Sequence, residues 1–334
     1  MSSGRVEVSG RGAARRMRYV EGPLLSPGPG EARVRVRYAG VAYGDVMRRK
    51  GVLAPPFDFT PGYDVTGEID EVGEATPLMA GQRVAVLMPL TGFGGYAQHV
   101  IVPAAACVPI PEGVHAREAL GLGLNAITAL QVLTRVARVP EGGNVLVHGA
   151  AGGVGCAVLD IASQRGLRVY GTASAGKHHV VRERGGEPID YRAVDFVSAV
   201  REQTGGRGVD VVIDGIGGEH LKKSAQALAP GGTLVALGVS GDVERGLGGV
   251  VGGLRHVLGA ALRPGVRVRM YGITASPGCG PAACRADWAE LMRALAAGKL
   301  RTPLIGAERA LARAEQAHAL LEGGSITGKV VLKA

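Results

Sequence analysis

The stretch that most restricts this chain is residues 144–155, reading NVLVHGAAGGVG. An apolar run, 145–147, stops at small residues and reopens as Cys156-Ala157-Val158-Leu159-Asp160-Ile161-Ala162. That order predicts a strand, a glycine-rich turn and a helix. The first N–H groups of such a helix have no partners within it, and its dipole places partial positive charge at the turn, so an anion docks there. Gly152 lets the backbone approach a diphosphate and Gly155 lets helix and strand pack closely, with Ala151, Gly153 and Val154 completing the turn. The first glycine of the usual G-x-G-x-x-G pattern is Ala150 here. With 55 glycines in 334 residues, a glycine cluster says little by itself. The context carries the reading: an apolar strand before, a helix closing at Gly166 after, and a second short strand at 168–172.

Beyond the turn, short strands alternate with helices, at 145–147, 168–172, 188–189, 209–213, 233–237 and 266–273. That rhythm predicts a parallel sheet with helices on both faces, its ligand loops leaving the C-terminal ends of the strands. Residues 266–271 (VRVRMY) alternate where the inner strands are uniformly apolar. They are expected at an edge, where a second subunit could pair. Residues 1–120 read differently. Alternation at 33–38 (RVRVRY) and short strands at 65–69, 83–87 and 96–102, with Pro-Gly breaks between them, predict a partly closed β barrel or sandwich. A helical period over 116–133 marks the passage into the second domain. Helices at 287–297 and 311–321 and a strand at 329–332 break the βαβ rhythm and are expected to return to the first. The expected domains are 1–121 with 275–334, and 122–274.

In a site for NAD, an Asp or Glu ends the second strand and accepts hydrogen bonds from the ribose. Here that place reads Thr172-Ala173-Ser174-Ala175-Gly176-Lys177, with no acid before Glu183. A carboxylate would repel a 2′-phosphate, whereas the Ser174 hydroxyl and the Lys177 ammonium would bind one, and Tyr191 offers a third donor. NADPH is therefore favoured over NADH; the competing reading is a polar surface loop.

The net charge of +9 raises the question of nucleic acid. Arginines are spread along the chain and aromatics total only 4%, so stacking platforms are scarce. A cleft for an anionic cofactor accounts for the sign as well, and no nucleic-acid partner is expected. Residues 246–262 are apolar, but Arg255 and His256 interrupt them, and no spanning helix is expected. No basic segment followed by an apolar one opens the sequence, so no signal peptide is expected. Cys107, Cys156, Cys279 and Cys284 are too scattered for a disulfide framework and fit a reducing, cytoplasmic setting.

Several stretches join the turn in one pattern: Gly30-Glu31, then 39–46 (AGVAYGDV), 61–67 (PGYDVTG), 125–129 (NAITA), 148–155 (HGAAGGVG), 214–218 (DGIGG) and 328–332 (GKVVL). On these residues the chain resembles, nearly end to end, the zinc-independent medium-chain dehydrogenase/reductases of the quinone oxidoreductase (zeta-crystallin-like) branch. The resemblance implies an α/β protein with a GroES-like, mostly-β catalytic domain, a Rossmann domain for NADPH, a cleft between them and commonly a dimer. Zinc-dependent relatives place metal ligands where this chain has Ala42, Tyr63 and, approximately, Asn125. None of these offers the thiolate, imidazole or carboxylate that zinc takes in that role, and the four-cysteine cluster of a structural zinc is missing. No metal is expected.

Without a metal to polarise a plain carbonyl, the implied acceptor is already activated: a quinone, an enone or an α,β-unsaturated thioester. The cofactor carries the redox chemistry, and the protein positions the reactants and stabilises enolate-like charge. The resemblance puts Thr128, Ile216 and Gly238 near the nicotinamide half and Lys329 near the outer cleft. Tyr43 is the candidate catalytic residue, because in some enoyl reductases a tyrosine there hands a proton to the α-carbon. A cleft-wall role stays open for it, as for Tyr63. Ala42, which replaces a common asparagine, is expected to line the substrate with Tyr63 and Asn125, while Asp45 and Asp64 are expected to fix the local fold. Three functions remain: a quinone or enone reductase, an enoyl-thioester reductase acting on CoA or carrier-bound substrates, and a non-catalytic NADPH-binding protein. Tyr43 with Arg245, Arg255, Arg263, Arg267 and Arg269, which could meet a carrier phosphate, speaks for the second.

Overall fold

Two units of packing divide the chain, Met1–Ile127 with Pro281–Ala334, and Thr128–Gly280. The computed structural model describes residues 1–10, 16–52, 55, 57–88, 93–237, 246–261, 264–273 and 276–334. The expected passages after 121 and 274 lie a few residues before those divisions, and 274 and 275 fall outside the described residues.

The second unit holds six parallel strands in the spatial order Glu187–Asp190, Arg168–Ala173, Asn144–His148, Val209–Asp214, Leu228–Ala236 and Arg267–Met270. The earliest of them in sequence, Asn144–His148, lies inside the sheet, and the chain winds outward from it in both directions. The order therefore reverses at its C-terminal end, the place where doubly wound sheets take ligands. Val145, Leu146, Val147, Val211, Val212, Ile213, Leu234 and Val235 are buried, as strands covered on both faces require. Arg267–Met270, alternating and largely exposed, occupies an edge. The strand expected at 233–237 begins earlier, at Leu228. Pro230-Gly231-Gly232, a turn signal by composition, is absorbed instead as an irregularity, where pairing passes from Val209 with Leu228 to Val211 with Thr233.

The first unit contains a sheet in the order Ile305–Ala310, Lys329–Lys333, Glu31–Val41, Asp64–Val72, Arg83–Leu87 and Cys107–Pro109, with His99–Pro103 also pairing with Glu31–Val41. Its alternation works as the sequence predicts. Val34 and Val36 enter a core with Val65, Ile69, Val84, Tyr96, Val330 and Leu332, while Arg35 and Arg37 face outward and both bond the Glu68 carboxylate on the neighbouring strand. The hairpin Ser2–Ser9 with Arg16–Pro23, and Ile305–Ala310 pairing parallel with Lys329–Lys333, carry weak patterns and were not individually legible in the sequence. The helices Pro281–Ala296 and Ala314–Glu322 pack within this unit. Trp288, wholly buried, donates its indole N–H to Ala119 O at 2.9 Å.

Candidate functional site

The glycine-rich turn is built as a tight cradle. Gly149 adopts φ +69°, a left-handed conformation suited to glycine. The Gly152 N–H bonds Gly149 O at 2.8 Å, and Gly152 then caps the helix Gly153–Gln164. A Cβ on Gly155 would stand 2.5 Å from both Ala150 Cα and Gly149 O, so the first helical turn rests directly on the loop. Ala151 is buried, while Gly152, Gly153 and Val154 are partly exposed at the helix start, where N–H groups lack helical partners. Ala150 fits in place of the first glycine because Gly171, on the adjacent strand, leaves room: a Cβ at Gly171 would run into the Ala150 methyl. Gly171 was passed over in the sequence. Its signal was a lone glycine inside an apolar strand.

Beneath the turn a polar chain crosses the strand ends. Thr172 Oγ1 accepts from Gly149 N–H at 3.3 Å and pairs with His148 Nδ1 at 3.0 Å. His148 Nε2 meets Ser224 Oγ at 3.0 Å, and that hydroxyl donates to Asp214 Oδ2 at 2.6 Å. Asp214 Oδ1 accepts from the N–H groups of Ile216 at 2.8 Å and Gly217 at 3.0 Å. The glycine-rich turn and the loop bearing Ile216, which is 40% exposed, are thus joined by side chains. Burial pushes the His148 imidazole down to about 3, so it stays neutral. Burial alone would raise Asp214, but the hydrogen bonds and charge around it, with His220 foremost, hold it below the usual carboxylate range. His148, Asp214 and His220 are also a trio of potential metal ligands among the described residues, their atoms within 4.8 Å of one another. Each is already hydrogen-bonded, His220 Nδ1 to Asp214 Oδ2 at 2.7 Å.

Ser174 caps a helical turn, Ala175–Lys177, at the end of the second strand, and the Lys177 N–H returns to Ser174 O at 2.8 Å. Burial, and then the nearby charge of Arg192, lower the proton affinity of the Lys177 ammonium. Tyr191 is 51% exposed, and the Arg192 guanidinium lies 5.6 Å from its ring centre. Arg192 was not anticipated, although it directly follows Tyr191. Thr128 is buried in the helix Leu124–Gln131. Gly238, like Arg245 and Arg263, lies outside the described residues.

In the first unit, Ala42 caps the short helix Tyr43–Arg49, and Tyr43 is its first residue, 37% exposed. The buried Asp45 carboxylate accepts from Ala42 N–H at 3.0 Å, Gly62 N–H at 2.9 Å and the Tyr96 hydroxyl at 3.2 Å. This ties the segment carrying Tyr43 to the segment carrying Tyr63. A Cβ on Gly44 would lie 2.6 Å from Tyr63 Oη, so the Tyr63 phenol rests against the residue next to Tyr43. The Arg48 guanidinium sits 4.7 Å over the Tyr63 ring and 4.8 Å over that of Phe93. Burial pushes the Tyr63 phenol up to about 12, which keeps it protonated. Asn125 is partly buried, one residue beyond Leu124, whose N–H bonds Asp64 Oδ2 at 2.8 Å. Lys329 is only 3% exposed and its ammonium is committed to an ion pair with Asp64 rather than to solvent.

Burial also raises Asp45, to about 7 from 3.8. A carboxyl raised in the folded state binds more protons folded than unfolded. The stability it contributes is complete below pH 3.8 and is lost as pH rises through about 7. Urea unfolding should show the wild type losing on the order of 2 kcal/mol more than Asp45→Asn between pH 5 and pH 8. Parallel pH profiles would refute the assignment.

Comparison with known proteins gives the same two parts. The alcohol dehydrogenase GroES-like domain matches residues 28–112, and the zinc-binding dehydrogenase domain matches residues 185–332. The synaptic vesicle membrane protein VAT-1 homolog of Rattus norvegicus is 39% identical over 220 residues, covering 64% of this chain and 54% of its own length. The chain thus spans about half the length of the VAT-1 relatives it matches. Quinone oxidoreductase of Mus musculus is 30% identical over 307 residues, covering 90% of this chain and 88% of its own. A mycobacterial protein solved in complex with NADPH superposes with a TM-score of 0.85 at 28% identity, over 99% of this chain and 100% of that one. With a GroES-like unit, a doubly wound parallel sheet and this identity over most of both chains, the protein belongs to the medium-chain dehydrogenase/reductase family, in its quinone oxidoreductase branch.

Proposed function

We propose that the chain is an NADPH-dependent reductase that works without zinc and passes hydride to a quinone or an enone. One observation carries the proposal. At the end of the second parallel strand Ser174 and Lys177 stand where an NAD site needs a carboxylate, and the charge of Arg192 reaches Lys177 from beyond the third. A hydroxyl and two cations suit a 2′-phosphate, which takes charge-assisted hydrogen bonds. The diphosphate fits the turn, whose glycines leave the helix start uncovered. The mycobacterial relative solved with NADPH supports the same cofactor.

When bound, NADPH supplies the hydride. The turn at 151–155 holds the diphosphate, Ser174, Lys177, Tyr191 and Arg192 hold the 2′-phosphate end, and Thr128 and the Ile216 loop orient the nicotinamide end. Tyr43 is the proton donor or oxyanion partner to the substrate, with Ala42, Tyr63 and Asn125 lining it. Arg48, over the Tyr63 ring, adds positive potential where charge builds on the acceptor oxygen. Ala42, Tyr63 and Asn125 bring no thiolate, imidazole or carboxylate, while His220 bonds Asp214 and the Ser224 hydroxyl meets His148, Asp214 and His220, which supports chemistry without zinc. A homodimer pairing along the exposed edge Arg267–Met270 and a cytoplasmic setting belong to the same proposal. No helix among the described residues is long and apolar enough to cross a membrane.

The test is NADPH oxidation with quinones, enones and enoyl-CoAs side by side, with and without chelator. Turnover of quinones or enones, indifferent to chelator, is expected. Turnover of enoyl thioesters alone would move the assignment to an enoyl-thioester reductase, and none on any substrate would leave a non-catalytic NADPH-binding protein. Lys177→Ala should raise KM for NADPH roughly tenfold or more while leaving that for NADH unchanged. An unaltered NADPH preference would sink the 2′-phosphate site. In the same assay Tyr43→Phe should lower kcat; unchanged turnover and product stereochemistry would reduce Tyr43 to a wall residue.

A further inference from the structure

The polar chain beneath the glycine-rich turn carries its protons in one direction. Asp214 is ionised and can only accept. Its Oδ2 takes the Ser224 hydroxyl at 2.6 Å and His220 Nδ1 at 2.7 Å, and its Oδ1 takes the N–H groups of Ile216 and Gly217. Ser224 has one proton and gives it to Asp214, so its oxygen accepts from His148 Nε2, 3.0 Å away. Neutral His148 therefore carries its proton on Nε2, which leaves Nδ1 to accept from the Thr172 hydroxyl at 3.0 Å. A lone pair of Thr172 Oγ1 remains for the Gly149 N–H. Hydrogen bonds aligned head to tail polarise one another, and a network satisfied throughout fixes a single geometry.

Packing locks the middle of this chain. The His148 ring stands edge-on to Phe196 and to His220, with ring centres 4.8 Å and 4.4 Å away, so it cannot turn over without unseating both. Thr172, His148 and Asp214 stand at the C-terminal ends of three neighbouring strands, and Ser224 closes the row from the helix His220–Gln226. All four are buried. Apolar residues of the same shape would hold the strands about as well, because a bonded pair of buried polar groups adds little net stability. What the polar row adds is geometry. It sets the spacing between Gly149 on one side and the Ile216–Gly217 backbone on the other, at the sheet end where doubly wound folds take ligands.

We propose that Thr172, His148 and Ser224 are positioning residues, a relay that holds the nicotinamide loop at Ile216 in register with the turn assigned to the diphosphate. The role rests on the cofactor placement proposed above, and the three residues act through the backbone N–H groups of Gly149, Ile216 and Gly217. Thr172→Val, Ser224→Ala and the double variant test it, with Thr172→Ser as the conservative control. Ser224→Ala should lower kcat about tenfold while Kd for NADPH stays within about threefold, since a displaced nicotinamide costs rate rather than affinity. Thr172→Val breaks the same relay at its far end and should also lower kcat. The double variant should lose little more than the worse single one, because one break already uncouples the two ends. Thr172→Ser keeps the hydroxyl and should keep the wild-type kcat. Losses that multiply in the double variant, or a Thr172→Ser as impaired as Thr172→Val, would overturn the relay. The fluorescence of bound NADPH needs no substrate and should differ from wild type in Thr172→Val and Ser224→Ala but not in Thr172→Ser. A wild type that binds NADPH and turns over no acceptor would sink the reductase reading alone, whereas identical fluorescence in all the variants would sink the relay. Nitrogen-15 spectra of the folded wild type should show His148 protonated at Nε2; a proton on Nδ1 instead would overturn the proposal without recourse to any variant.

Discussion

Lys329→Met is expected to lower stability by about 3–5 kcal/mol, the cost of stranding a charge in a protein interior. Lys329 and Asp64 are 3% and 0% exposed and paired with each other. Asp64 Oδ2 also accepts from Leu124 N–H, whereas Oδ1 is buried without a hydrogen-bond partner. The pair sits in a slot cut by two glycines. A Cβ on Gly40 would lie 2.7 Å from Lys329 Nζ and run into Asp64 Oδ1, and a Cβ on Gly123 would run into Asp64 Oδ2. Packing this close leaves no room for water to take over the carboxylate once the ammonium is gone. Urea unfolding of Lys329→Met, Asp64→Asn and the double variant measures the effect. The double variant should recover a substantial part of the loss, because removing both charges removes the unpaired one. Additive losses in the double variant would mean that the pair is not coupled as the geometry requires.

Gly155→Ala should raise Kd for NADPH roughly ten- to hundredfold, and should itself destabilise the protein by about 1–3 kcal/mol, the usual cost of an extra carbon in a filled space. The atoms it would meet, Ala150 Cα and Gly149 O, are backbone and cannot rotate away. Yielding would spread the turn proposed to accept the diphosphate. Gly152→Ala provides the contrast. Its Cβ would meet only Gly149 O, at 3.2 Å, and its φ of −82° suits any residue. That variant should keep its thermal midpoint and weaken NADPH through the space the diphosphate itself needs. Fluorescence titration with NADPH and thermal unfolding of both variants separate the two roles. Equal effects on folding would show that Gly155 is not packed against the turn more tightly than Gly152.

The two halves of the molecule differed in how openly the sequence displayed them. The parallel sheet was legible nearly strand by strand, because each strand is a short apolar run bounded by turns and needs no distant partner to be recognised. The run Ser174 to Lys177 was equally plain, since residues adjacent in sequence gather at one strand end. Gly171 and Arg192 were missed although both lie next to residues that were singled out. Their importance depends on what stands across from them, the Ala150 methyl and the Lys177 ammonium.

What the sequence by itself determined is whatever is encoded within one strand–turn–helix unit: the glycine-rich turn between strand and helix, the absence of an acid after the second strand, and the alternating edge. Only the tertiary structure decided which polar groups would be sealed together. Lys329 reads as a lysine near a terminus, yet it is the buried partner of a carboxylate 265 residues away. His148 and Ser224, 76 residues apart, meet beneath the turn. Periodicity reports which face of an element is buried. It carries no record of which distant element will lie against that face, so contacts of this kind exist only once the chain has folded.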